Sequence, residues 1–297
     1  MTTQEEAKPH VGSVDARPRR VPPAAVEPRP RRPRRVAGTA GLVLAALLAA
    51  APAQAGPIAP ADPHSPTGPG GAWAGYSMGA PARHAMPHQP GGLAGVDVSG
   101  HQGAVDWAGA RAGGAQFAYV KATEGNAVQS DQFSPQYRGA KATGLAHGAY
   151  HFALPDRSTG AAQAEYFLAH GGHWAPGKHA LPGALDIERN PYGDPCYGMN
   201  PQAMSAWIAD FSNTYAHRTG RFPIIYTTTS WWNQCTGANP DFARQNPLWI
   251  ARYGPDTGPL PAGWTTHTLW QFADQGPLPG DQNSFNGPVE ELAKLTA

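Results

Sequence analysis

Two carboxylates at the end of a short apolar stretch, Gly183-Ala184-Leu185-Asp186-Ile187-Glu188, are the residues of this sequence best suited to chemistry. Side chains alternate along a strand, so a strand here puts Asp186 and Glu188 on one face, with Cα atoms about 7 Å apart. Leu185 and Ile187 then point the other way, towards apolar cover. Crowded carboxylates disfavour each other's ionisation, so one of the pair keeps its proton and can deliver it as an acid catalyst. The same pair would also serve as a polar strand end, or as a partner for nearby basic groups. Asn190-Pro191-Tyr192-Gly193 ends the strand and opens a loop.

Holding such a pair in place requires a sheet, and strands recur along the chain between helices. Residues 94–99 read as a strand with Asp97 at its end, and 106–113 as a short helix stopped by Gly113-Gly114. Residues 116–122 form the next strand, followed by Thr123-Glu124-Gly125, and a helix near 135–143 ends at Gly144. A third strand over 146–153 carries Tyr150, His151 and Phe152, and Ser158 or Thr159 caps the helix after it. The clearest helix starts at Asn200 as N-cap with Pro201 in the first position, and Gly220 ends it. Its Met204, Trp207, Ile208, Phe211 and Tyr215 fall on one face. Further strands are read at 222–227, 247–252 and 268–272, with a last short one at 281–285.

Near-continuous apolar strands alternating with helices predict a parallel sheet covered on its outside. About eight strands in the roughly 205 residues from Leu93 onward predict a closed, irregular β/α barrel with shortened or missing helices. An open doubly wound sheet is the alternative, but no G-x-G-x-x-G or phosphate loop follows any strand. In a barrel, acids at the C-terminal strand ends gather at one mouth. Asp97, Asp186, Glu188 and Asp281 all sit at such ends or just beyond.

The first 55 residues have a different character. They hold Lys8 and eight arginines against four acids, 9 − 4 = +5, which leaves 13 basic and 17 acidic residues, or −4, for the rest. The uncharged run from Val36 to Ala51 is short for a membrane span, follows Arg34-Arg35 and precedes Ala53-Gln54-Ala55. That is a secretory signal peptide with a long basic start and a small-x-small cleavage site, over residues 1–55. A basic arm for nucleic acid is the competing reading, and the apolar run argues against it. Residues 56–92, rich in Pro, Gly, Ala and His, read as a disordered linker. An exported chain with two cysteines, Cys196 and Cys235, is expected to pair them, tying the loop after the acidic strand to the loop after a later strand. The mature protein is read as extracellular, with no membrane partner once the signal is removed.

The ordered segments Gly95-Val96-Asp97-Val98-Ser99, Tyr119-Val120-Lys121-Ala122-Thr123-Glu124-Gly125, Gly148-Ala149-Tyr150-His151-Phe152, Leu185-Asp186-Ile187-Glu188, Tyr226-Thr227, Leu248-Trp249-Ile250-Ala251, Leu269-Trp270-Gln271-Phe272 and Asp281-Gln282-Asn283-Ser284-Phe285 together resemble the family 25 glycoside hydrolases. The resemblance covers Gly95 to Phe285, so the catalytic domain is set at 93–297. It implies a lysozyme (N-acetylmuramidase) that cuts the β-1,4 bond from N-acetylmuramic acid to N-acetylglucosamine in bacterial peptidoglycan. It departs at His101-Gln102, where many relatives continue with an aromatic residue. By resemblance, Glu188 is the general acid, Asp186 its partner, and Asp97 and Asp281 the other mouth acids. Asp186 would stabilise an intermediate formed by the sugar's own N-acetyl group, with a nucleophilic Asp186 as the alternative. Tyr150, Tyr226, Trp249 and Tyr253 are candidates for sugar contacts, and Glu124 for lining the groove; barrel packing and a solvated turn are their structural alternatives.

Two other functions compete with this one. A catalytically inactive peptidoglycan-binding barrel would usually have lost its acid, whereas Glu188 is present. A metal-dependent deacetylase is suggested by twelve histidines, but His170-x-x-His173 lies at a Gly-Gly break and no H-E-x-x-H occurs, so scattered surface histidines are expected. No metal, cofactor or nucleic-acid partner is expected, and the chain is read as a monomer acting on glycan strands.

Overall fold

Eight strands close into a ring in the structure, a computed structural model that describes residues 74–75, 91–177 and 179–297. The chain divides into two units, Met1–Ala55 and Gly56–Ala297, and every described residue belongs to the second. The signal peptide read over 1–55 and nearly all of the linker read over 56–92 lie outside the described residues.

In chain order the strands are β1 (Leu93–Val98), β2 (Phe117–Glu124), β3 (Val128–Gln129), β4 (Ala146–Phe152), β5 (Ala184–Asp186), β6 (Ile224–Thr227), β7 (Leu248–Ala251), β8 (Leu269–Ala273) and β9 (Asp281–Phe285). The ring runs β1-β9-β8-β7-β6-β5-β4-β2 and is closed by parallel pairing of β1 with β2, which rules out an open sheet. The unforeseen β3 is a two-residue hairpin partner of β2 outside the ring.

The expected all-parallel sheet is corrected at β9, which runs antiparallel to both β1 and β8. Only residues 274–280 separate β8 from β9, too few for the crossover that parallel neighbours need. The helices are α1 (Trp107–Ala112), α2 (Phe133–Ala142), α3 (Gly160–Phe167), α4 (Pro201–Thr219), α5 (Thr229–Thr236) and α6 (Val289–Leu295). Residues 252–268, all described, contain no α-helix, so the barrel is irregular as expected. α2 starts before Pro135, which is tolerated because the first turn of a helix leaves its N–H groups unpaired.

Alternation along the strands sorts the core into two layers. Phe117, Tyr119, Tyr150, Ile224, Tyr226, Trp249, Leu269 and Phe285 pack inside the ring, joined by Leu292 of α6. Val96, Val98, Val120, Leu185, Ile187, Ile225 and Ile250 face outward to a second cluster that includes Trp207, Ile208 and Phe211 of α4. α4 has the caps expected of it: Asn200 Oδ1 accepts from the Ala203 N–H at 2.9 Å, and Gly220 takes φ +79°. Inside the ring, a Cβ at Gly95 would lie 2.3 Å from the Phe117 ring, so glycine makes room there for an aromatic filling.

Candidate active site

The polar residues of the ring collect at the end where the parallel strands finish. Asp97 sits near the end of β1 and is level with Asp281, the first residue of β9, whose reversed direction brings it to the same end. Asp186 closes β5, level with Phe152 of β4 and Tyr226 of β6. The strand read through Glu188 ends at Asp186, yet the Ile187 N–H still donates to the Tyr226 carbonyl at 3.0 Å and keeps the chain extended. Ile187 is buried in the outer core, and Glu188 is buried with Asp186. The four mouth acids, from three parts of the ring, are each at most 5 % exposed.

One amide ties the β1 and β9 acids together. Gln271 Nε2 donates to Asp97 Oδ2 at 2.9 Å and to Asp281 Oδ2 at 3.1 Å. Asn283 Nδ2 donates to the same Asp97 oxygen at 2.7 Å, and Trp249 Nε1 donates to Asn283 Oδ1 at 2.8 Å. The hydroxyls of Tyr226 and Tyr253 donate to Gln271 Oε1 at 3.0 and 3.2 Å, which fixes the orientation of the amide. Asp186 differs from this group. Both of its carboxyl oxygens are buried, and neither has a hydrogen-bond partner among the described residues.

Burial dominates the protonation of these groups. It raises Asp97 to about 7 against the lowering effect of the Gln271 and Asn283 donors. It raises Asp186 well above the usual carboxylate range, with the charge of Glu188 as the next cause, and Asp281 likewise, with Asp97 next. The Tyr150, Tyr226 and Tyr253 phenols are pushed up by burial and then by neighbouring charges, chiefly acids, so they remain protonated and able to donate.

The remaining expected residues fall in several places. Trp249 lies within the ring with its centroid 5.0 Å from those of Tyr119 and Tyr226, so it packs and positions Asn283. Glu124 is the last residue of β2, not a turn residue; it pairs with Lys121 at 2.6 Å and accepts from the Tyr192 hydroxyl at 2.5 Å. A cavity of about 440 Å³ opens there, lined by Glu124, Asn126, Leu154, Arg157 and Tyr192 among others. Cys196 and Cys235 form a disulfide, but Cys235 lies on α5, not in a loop, because Thr228 caps a helix directly after β6. The picture of surface histidines is corrected for His147 and His151, which are buried. His151 bonds Thr123 Oγ1 at 2.8 Å and Gln163 Oε1 at 2.9 Å, and burial lowers its pKa to about 3, so it is a neutral pin between β2, β4 and α3. Among the described residues no group of three or more His, Cys, Asp or Glu side chains is arranged to hold a metal ion. No helix among them is long and apolar enough to cross a membrane.

Gln271 and Asn283 were not singled out by sequence, although each falls on the inward face, and Asn283 is two residues from Asp281. Ala74 and Gly75, from the stretch read as linker, also reach the mouth. The Gly75 N–H donates to Glu188 Oε1 at 3.1 Å, and Gln271 Nε2 donates to the Ala74 carbonyl at 3.3 Å. A Pro- and Gly-rich composition gives no signal for such a contact.

Residues 96–281 match the family model for glycosyl hydrolases family 25. The chain is 43% identical over 226 residues to Lysozyme M1 of Streptomyces globisporus, covering 74% of this chain and 77% of that one. It is 45% identical over 205 residues to an N,O-diacetylmuramidase of a Chalaropsis species, covering 68% and 97%. Among solved structures, the muramidase from Acremonium alcalophilum superposes with a TM-score of 0.68 at 52% identity, over 69% of this chain and 98% of that one.

Proposed function

The chain belongs to the family 25 glycosyl hydrolases, and we propose that it is a secreted lysozyme that cuts the β-1,4 bond from N-acetylmuramic acid to N-acetylglucosamine in bacterial peptidoglycan. The named muramidases and lysozyme among its relatives support the substrate class. Residues 1–55 would direct export and be removed, leaving a catalytic domain over 93–297 that works as a monomer.

In this reading Glu188 protonates the leaving glycosidic oxygen. The carbonyl oxygen of the sugar's N-acetyl group attacks the anomeric carbon from the other face and forms a cyclic oxazolinium. Asp186 accepts a hydrogen bond from the N-acetyl N–H and offsets the developing positive charge. Water then opens the ring, Glu188 takes its proton, and the anomeric configuration is retained. The supporting observation is the state of Asp186, a buried carboxyl next to Glu188 whose two oxygens find no donor among the described residues. An amide N–H from a bound sugar would supply that donor, and a hydrogen bond to the charged form favours ionisation. Asp97 and Asp281, bridged by Gln271, hold the opposite wall of the mouth. Tyr150, Tyr226 and Tyr253 present hydroxyls to the substrate.

Mass spectrometry of muropeptides after digestion tests the bond. New reducing ends on N-acetylmuramic acid are expected, and reducing ends on N-acetylglucosamine would refute the assignment. Sequencing of the exported protein should begin at Gly56 or beyond; retention of Arg31 to Arg35 would refute export by cleavage near Ala55.

A further inference from the structure

We propose that the mouth is also a binding site for the chain's own preceding segment, and that Ala74-Gly75 occupies the position of a substrate sugar and holds the full chain in an inhibited form. The inference rests on the reading of the mouth as the sugar-cleaving site. Three backbone groups of the dipeptide are engaged there. The Gly75 N–H donates to Glu188 Oε1 at 3.1 Å, the Ala74 carbonyl accepts from Gln271 Nε2 at 3.3 Å, and the Ala74 N–H approaches the Tyr150 oxygen at 3.5 Å. Ala74 is wholly buried and packs with the aromatic residues inside the ring. A general acid must lie within hydrogen-bond reach of the oxygen it protonates. The Gly75 amide takes that place on Glu188, so glycan and segment cannot both be bound.

The chemistry of the contact suits competition with a bound sugar. The Ala74–Gly75 peptide N–H and carbonyl meet Glu188 and Gln271 and leave Asp186 without a donor among the described residues, so the competition is for the acid and not for the N-acetyl position. Gly75 is the residue type the position requires. Its φ is +102°, and a Cβ would lie 2.5 Å from the Tyr253 oxygen, 3.0 Å from Gln271 Oε1 and 3.3 Å from Asp281 Oδ2. The segment is joined to the barrel, which makes weak contacts effective. Sixteen residue steps separate Gly75 from Gly91, a reach of up to about 55 Å. β1 starts at the end opposite the mouth and spans about 20 Å, so the tether is long enough. A tether of this kind presents its segment at a local concentration on the order of millimolar.

The test uses three forms of the full chain: unmodified, Gly75→Val, and one with a site-specific protease sequence placed within residues 80–88, before and after cutting. Binding of an N-acetylglucosamine trimer is measured by calorimetry, wall lysis by turbidity, and protection of the residue 75 amide by hydrogen exchange. A closed population of about 90 % or more weakens apparent affinity by about tenfold or more. Gly75→Val and the cut chain are therefore expected to bind the trimer and lyse walls at least about tenfold better than the unmodified chain, and to lose protection at residue 75. The barrel has its own core, and the cut form carries no substitution in the segment, so misfolding of one variant does not hide the answer. Unchanged trimer affinity on release, or an unprotected Gly75 amide in the unmodified chain, overturns the proposal. Improved trimer binding without lysis by any form would instead leave the inhibition standing and refute the lysozyme reading.

Discussion

Glu188 and Asp97 are both buried acids of one mouth, but their partners differ. Asp97 accepts from Gln271 and Asn283 and is held in place, whereas Glu188 accepts from a backbone amide of a segment outside the ring. Glu188→Gln keeps the shape of the side chain but has no proton to deliver usefully. It is expected to lower turnover by about 10²–10⁴-fold while sugar binding stays near normal. Lysis rates together with trimer calorimetry check this, and near-normal lysis would remove Glu188 from the role. Asp97 gives a pH dependence of stability. Its pKa in the folded chain is raised from 3.8 to about 7, so between these values the folded state holds more protons than the unfolded one. Stability must then fall as pH rises through that window. Asp186 and Asp281 are shifted in the same direction. Asp97→Asn should flatten the decline, which urea denaturation at a series of pH values would show. Much of this was readable in advance because same-face acids at strand ends are a chemical pattern. Gln271 was not, because a neutral amide in an apolar strand has no signature until its neighbours are known.

Among the elements, the loop after β5 and helix α5 are joined covalently. Cys196 follows Glu188 by eight residues, and Cys235 lies on α5, where its partners Trp231 and Trp232 are buried in the outer core. Opening a loop with a sequence separation of 39 removes roughly 4 kcal/mol of stability by chain entropy. The double variant Cys196→Ser, Cys235→Ser is expected to lose stability on that order in urea denaturation; a loss near zero would mean that the loop is held by its other contacts. Those contacts include the Trp231 indole N–H to the Pro195 carbonyl at 2.9 Å and the Tyr197 hydroxyl to the Ala153 carbonyl at 3.0 Å. The strands and α4 were legible because apolar runs, an Asn-Pro start and a glycine stop each have a direct local cause. Three features were not. β9 reverses because of the short connection before it, β3 is only two residues long, and α5 lies in a Thr- and Trp-containing stretch that reads as loop. Connection length decided β9 and the Thr228 cap decided α5, and neither shows in the apolar pattern.

At the scale of the whole molecule, the charge of residues 56–297 is unevenly distributed. Residues 56–297 hold 13 basic and 17 acidic side chains. Four of those acids, Asp97, Asp186, Glu188 and Asp281, are the buried mouth acids, and Glu124 is balanced by its ion pair with Lys121. Apart from the four mouth acids, 13 bases stand against 17 − 4 = 13 acids in residues 56–297, so the formal excess of −4 equals the charge of those four. Burial raises the pKa of three of the mouth acids, which reduces even that excess. Long-range steering requires exposed net charge, and its signature is a strong dependence on ionic strength. A cell wall bearing many carboxylates should therefore neither attract nor repel this protein strongly from a distance. Wall lysis by residues 56–297 is expected to change by less than about twofold between roughly 20 and 200 mM salt, a range over which the Debye length contracts from about 20 to 7 Å. Initial turbidity rates across that range are the measurement. A steep fall with salt would reveal a basic binding face that the charge count does not contain. A steep rise would show that the mouth acids remain ionised and act on the wall from a distance.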